Sequence, residues 1–152
     1  MIPNVSRSPV PLSACNLAKA IDLIGDRWTL LILRSALFGV RRFDALQSEL
    51  SIPRTVLSGR LKALVNAGIL EKTSYKVTGK RPRAEYVLTE MGDSLRPVLI
   101  NLTQWGDRWV SNDGTAPIGF TDSQTRQPVR AAFVDSGGRE VTADQMRIKL
   151  RR

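Results

Sequence analysis

The 152-residue chain contains no histidine and a single cysteine. Without histidine there is no Ser-His-Asp triad, no Cys-His pair, no HExxH zinc chemistry and no C2H2 finger. One cysteine, Cys15, excludes an intramolecular disulfide. Aromatic residues are scarce, at 6%. Sequence-specific RNA readers expose aromatics for base stacking, so this scarcity argues against RNA recognition. Apolar runs fall well short of the roughly 20 residues that span a bilayer. The N-terminus lacks a basic segment followed by an apolar run, so no signal peptide is expected, and a cytoplasmic location follows by elimination. Acids are few: 14 against 23 bases, a net charge of +9. They are scattered, with no paired-carboxylate pattern and no partner motif around Cys15, so neither catalysis nor a cofactor is expected.

What is present is ordinary globular material. Hydrophobic residues make up 42% and charged residues 24% of the chain, enough for about one domain with its own core. The basic excess favours an anionic partner, and it is concentrated. Residues 39–86 carry 10 basic and 4 acidic groups, whereas residues 87–112 carry 2 and 3. Membrane-surface binding is disfavoured, because no wide apolar face opposes the basic residues.

Residues 1–12, with Pro3, Pro9 and Pro11, read as a flexible arm. A helix is expected from about Ser13 to Ile24, with Leu17, Ile21 and Ile24 on one face and Gly25 ending it. A second runs from about Asp26 to Phe38, apolar nearly all round and so expected at the centre. A third fits Phe43 to Leu50. A fourth fits Pro53 to about Ala67, with proline at its first position and Leu57, Leu61 and Leu64 inward. Ile69 to Tyr75 and Arg83 to Thr89 read as strands around a basic turn, 76–82. A last helix is expected from Thr89 to Val110, kinked or restarted at Pro97. Residues 111–127 read as a linker. Residues 128–152 read as a β-hairpin extension: one arm is Pro128 to Val134, the turn is 135–138, and in the other arm Met146, Ile148 and Leu150 alternate with bases.

Helices, then a hairpin with a basic tip, then a long helix is the order of a winged helix-turn-helix, a mainly α (α+β) fold. At about 100° per residue, the fourth helix turns Thr55, Gly59, Lys62 and Asn66 away from its leucines, with Ser58 at the flank. That small, partly cationic face suits a groove about 12 Å wide. Arg54 stands at the helix N-terminal end, where base contacts originate. Gly59 costs about 1 kcal/mol relative to alanine in a helix interior. Either the backbone approaches DNA closely there, or the site tolerates glycine. Lys76, Lys80, Arg81 and Arg83 in the wing suit phosphates or the minor groove. Arg41 is placed to grip the backbone. For Arg42 a structural ion pair is an equal alternative.

The motifs resemble those of the HxlR-type family of bacterial winged-helix regulators, relatives of the MarR type. The resemblance rests on an ordered set: Cys15; Leu23-Ile24-Gly25-Asp26-Arg27-Trp28-Thr29-Leu30-Leu31-Ile32-Leu33-Arg34; Gly39-Val40-Arg41-Arg42-Phe43-Asp44-Ala45-Leu46; Val56-Leu57-Ser58-Gly59-Arg60-Leu61-Lys62-Ala63-Leu64; Gly68-Ile69-Leu70; Tyr86-Val87-Leu88-Thr89-Glu90-Met91-Gly92; and Trp105-Gly106. It covers about residues 14–110, within a domain drawn as 13–110.

The resemblance implies a homodimeric regulator that binds double-stranded DNA, dimerising through its first and last helices. Here those helices offer Leu17 and Ile21, and Leu102, Trp105 and Trp109. The alternative for both tryptophans is to cover their own core. Some members of the family sense electrophiles or oxidants through a cysteine at the position of Cys15. The competing reading is a structural Cys15 in a protein that answers a reversible ligand. Two positions depart from the family pattern, Asn16 for a common proline and Pro53 for a small capping residue. Some relatives carry a C-terminal β extension with cysteines that could bind zinc; this extension has none, so no metal is expected. A winged helix that docks protein instead of DNA is the remaining alternative.

Overall fold

A computed structural model describes residues 8–75, 79 and 83–150. Its order is α1 (Asn16–Ile24), α2 (Arg27–Leu37), α3 (Phe43–Leu50), α4 (Arg54–Asn66), β1 (Leu70–Tyr75), β2 (Arg83–Leu88), α5 (Glu90–Asp93), α6 (Arg96–Trp109), β3 (Phe133–Val134) and β4 (Glu140–Val141), with 3-10 turns at Leu12–Ala14 and Ala143–Gln145. The chain divides into two compact units, Met1–Leu95 and Arg96–Arg152.

The core of the first unit is aliphatic. Ile32 and Leu33 of α2, Leu46 of α3, and Leu57, Leu61 and Leu64 of α4 are fully buried together with Ile52, Ile69 and Leu70. Each such side chain contributes about 1.5–3 kcal/mol on burial. The heptad-like spacing on α4 explains why one face is wholly inside and the other wholly outside. On α2, by contrast, the all-round apolar pattern does not translate into all-round burial: Leu30 and Leu31 are half-buried and Phe38 is exposed.

Local chemistry sets the helix ends. Asp26 caps α2, its carboxylate accepting from the backbone N–H groups of Trp28 (3.0 Å) and Thr29 (3.1 Å) and from the Thr29 hydroxyl. Ser51 turns the chain between α3 and α4 in a left-handed conformation, φ 50°. Pro53 takes the N-cap position of α4 instead of the expected first helical position, so the helix starts one residue later, and it offers no side-chain cap.

The wing is antiparallel, with Leu70 opposite Leu88 and Tyr75 opposite Arg83. Residues 41–42 add a short third edge: Arg42 bridges Glu85, and the Tyr86 N–H donates to the Arg41 carbonyl at 2.8 Å. The tip, with Lys76, Lys80 and Arg81, lies outside the described residues. Thr89 then closes the unit. Its hydroxyl donates to the Gly68 carbonyl (2.6 Å) and accepts from the Gly92 N–H (3.1 Å). Gly92 sits so tightly on the Ile69 carbonyl that a Cβ there would lie 2.2 Å from its oxygen.

The last helix, expected over 89–110 with a kink or a restart at Pro97, does restart and is two helices. The chain breaks at residues 94–95 and α6 begins at Arg96, with Pro97 in its first turn, where a missing N–H is harmless.

In the second unit the Gln104 side chain of α6 holds the returning chain. Its Nε2 donates to the Val129 carbonyl (3.2 Å) and its Oε1 accepts from the Ala131 N–H (3.0 Å). Asp122 and Asp135 organise the turns. The Thr125 and Gln124 N–H groups hold the Asp122 carboxyl below its ordinary range, and the Arg139 N–H does the same for Asp135. The C-terminal hairpin exists but differs from expectation. Phe133 and Val134 pair with Val141 and Glu140, so the second arm is residues 140–141. The alternating segment Met146, Ile148 and Leu150 forms no strand and stays exposed.

Candidate nucleic-acid interface

The outward face of α4 consists of Arg54, Thr55, Ser58, Gly59 and Lys62, all exposed. No acid occurs anywhere on this helix. A Cβ built on Gly59 meets nothing within 4 Å, so the position opens to solvent. The start of α4 has no side-chain cap, and the first backbone N–H groups of a helix are favourable partners for a phosphate.

Three elements converge at the N-terminal end of this helix. The Arg54 guanidinium lies over the Phe43 ring, 5.0 Å from its centroid. Phe43 and Asp44 open α3, and Asp44 faces Arg83, the first residue of β2 after the turn, 3.8 Å away. Arg41 and Arg42 precede α3 on the edge that joins the wing. Arg54, Arg41 and Arg83 are therefore gathered around the first turn of α3. Lys62 stands farther along α4, and Lys76, Lys80 and Arg81 fall outside the described residues.

The arginines divide by their partners. Arg42 is built into the scaffold: it stacks on Tyr75 (4.4 Å to the centroid) and pairs with Glu85 at 3.4 Å, whose side chain is only 21% exposed. Arg60 pairs with Asp26 at 3.3 Å, tying α4 to the capped end of α2. Burial pushes the Asp26 carboxyl up, but the Thr29 hydroxyl and N–H, the Arg60 charge and the Trp28 N–H outweigh it and hold the group below its ordinary range. Arg34 and the buried Ser35 share Glu49, at 2.7 and 3.1 Å, joining α2 to α3. No acid is paired with Arg41, Arg54 or Lys62 among the described residues. The basic excess of the central segment is thus partly structural and partly free.

Asp26, Glu49 and Arg60 tie α2 to α3 and to α4. A signal for the first existed in the sequence, an aspartate immediately before an apolar helical run.

The other proposed sites lie elsewhere. Cys15 is half-buried at the N-cap position of α1, unbonded through its side chain. On α1, Leu17 and Ile21 are exposed, and no residue of that helix is buried. On α6, Leu102, Trp105 and Trp109 are each at least half exposed, at 50%, 56% and 65%. Among the described residues, no cluster of acids or cysteine could hold a metal and no helix is long and apolar enough to cross a membrane.

The fold is a winged helix-turn-helix, mixed α+β and mainly helical. Residues 23–114 match the HxlR-like helix-turn-helix family, and the chain belongs to that family. It is 45% identical over 103 residues to Rv3095 of Mycobacterium tuberculosis, an uncharacterised HTH-type transcriptional regulator; the match covers 68% of this chain and 64% of the relative's own length. PA1607, solved as a candidate transcription factor, is similar with a TM-score of 0.76 and 29% identity, covering 90% of this chain and 95% of that one. The redox regulator HypR in its reduced form is similar with a TM-score of 0.56 and 28% identity, covering 63% of this chain and 96% of HypR. Rv3095 is named as a transcriptional regulator, PA1607 as a candidate transcription factor and HypR as a redox regulator.

Proposed function

We propose that the chain is a sequence-specific DNA-binding regulator that works as a homodimer. In this reading α4 enters the major groove, and the wing with Arg41 contacts phosphates or the minor groove. The observation that carries it is the face of α4: small, polar, cationic and free of acids, with unpaired Arg54 and Lys62 at its two ends. Arginine and lysine there can donate to guanine edges, and Thr55 and Ser58 to bases or phosphates.

The exposed apolar faces of α1 and of α6 support dimerisation, since a single chain leaves Leu17, Ile21, Leu102, Trp105 and Trp109 in water. A two-fold dimer reads two half-sites about one helical turn apart, or a multiple of that. Cys15 supports a thiol switch through its place at the start of a helix and the likeness to HypR. With one cysteine per chain, the oxidised product is an intermolecular disulfide or a mixed disulfide with a small thiol.

The test compares variants on a cognate and a scrambled duplex. Lys62→Ala and Arg54→Ala are expected to weaken cognate binding by about 1–3 kcal/mol each and to relax specificity. Arg81→Ala is expected to weaken both duplexes alike and to lower the salt slope by about one. Wild-type affinity in both α4 variants would overturn the assignment of that helix.

A further inference from the structure

The Arg83–Asp44 pair is unlike the other ion pairs of the first unit. Its charges stand 3.8 Å apart, and both side chains are mostly in water, 62% and 73% exposed. At that separation the attraction is Coulombic, beyond the 2.7–2.9 Å of a charge-assisted hydrogen bond. Asp44 commits its other oxygen to the Ala45 N–H at 3.1 Å, so it stays in place as the first acid of α3. Among the described residues no hydrogen bond occupies the guanidinium donors of Arg83. Asp44 also follows Phe43, the ring that carries Arg54, so it lies on the same first turn of α3 that Arg54 reaches. Arg42, stacked and paired with the more buried Glu85, offers no such freedom.

We infer that Asp44 holds Arg83 loosely in the free protein and surrenders it to a DNA phosphate on docking, so that this acid lowers the affinity for every DNA sequence. The inference rests on the DNA-binding reading above and adds to it a residue that restrains binding. A phosphate can approach Arg83 to hydrogen-bond distance, which Asp44 does not. In the complex the carboxylate is left among phosphates, where it repels them. Removing its charge therefore removes both the competition for Arg83 and the repulsion.

The experiment measures binding of wild type, Asp44→Asn, Arg83→Ala and the double variant to a cognate and an unrelated duplex over a range of salt. Asp44→Asn is expected to bind both duplexes about five-fold more tightly, the Coulomb energy of one exposed pair at about 4 Å. Arg83→Ala is expected to bind both more weakly. Adding Asp44→Asn to Arg83→Ala is expected to recover less than Asp44→Asn gains in the wild-type background, because only the repulsion between Asp44 and the phosphates is left to relieve. Thermal unfolding confirms that each variant is folded, and Asp44→Ser repeats the test with a side chain that keeps a hydrogen-bond acceptor at the helix start.

An Asp44→Asn protein with unchanged or weaker affinity would overturn the inference while leaving DNA binding intact. So would a gain that persists in full beside Arg83→Ala. Wild-type protein without salt-sensitive binding to either duplex would overturn the DNA-binding reading, and the inference with it.

Discussion

Gly59 lets stability and function be separated at one residue. Its surroundings are empty within 4 Å of a built Cβ, and its backbone is helical. Alanine therefore fits the free protein and is expected to stabilise it by about 1 kcal/mol through helix propensity. If the α4 backbone comes close to DNA there, the same methyl group collides with the duplex. The expected outcome for Gly59→Ala is a higher melting temperature together with weaker DNA binding. Higher stability with unaltered binding would show that glycine is merely tolerated at this position. Gly92 is the opposite case. Its Cβ would be driven into the Ile69 carbonyl, so Gly92→Ala is expected to lower the melting temperature.

At the scale of the element, the cap of α2 joins folding to the recognition helix. Asp26 holds two backbone N–H groups and the Thr29 hydroxyl, and pairs with Arg60 of α4. Asp26→Ala is expected to cost about 0.5–2 kcal/mol from the lost cap. Asp26→Asn keeps a good capping side chain and removes the charge that faces Arg60. The folded protein holds this carboxyl below its unfolded value. Its contribution is therefore complete above the unfolded value and is lost as pH falls through the folded one. Melting temperatures measured from neutral pH to below about 4 are expected to show wild type losing its advantage over Asp26→Asn in acid. An advantage constant with pH would contradict this assignment.

The elements were unevenly legible in the sequence. Helices α3 and α4 were readable because their leucines repeat at helical spacing with polar residues between. The wing strands were readable from their flanking glycines and the basic turn. The restart of α6 was legible from Pro97, whereas the break itself at residues 94–95 was hidden because the apolar period runs on through it. The tail misled in a physical way. Alternation at Met146, Ile148 and Leu150 marks a strand only where a neighbour supplies hydrogen bonds, and the actual ladder at residues 133–134 and 140–141 is too short to show a period. The pairs Asp26–Arg60 and Asp44–Arg83 likewise join residues far apart in sequence, so a charge count identified the basic segment and could not say which arginines were free.

For the whole molecule, the proposed dimer explains why α1 and α6 bury none of their residues in one chain. Trp105 and Trp109 each carry a large apolar surface. Replacing both with serine is expected to shift the sedimentation coefficient from dimer to monomer and to abolish specific DNA binding, because a single half-site is too small to hold the protein. Dimers that survive both substitutions would remove α6 from the interface. A thiol-specific oxidant is expected to change DNA binding in wild type and leave Cys15→Ser unaffected. Equal responses would leave Cys15 a structural residue.

The central claim is specific DNA binding, and its most direct measurement is equilibrium binding to fragments flanking the protein's own gene, against unrelated duplexes, over a range of salt. The account expects at least one fragment to bind about 1,000-fold or more tightly than unrelated DNA, with two protomers per duplex and an affinity that falls linearly in log–log form as salt rises. Equal affinity for every duplex, or binding indifferent to salt, would contradict it.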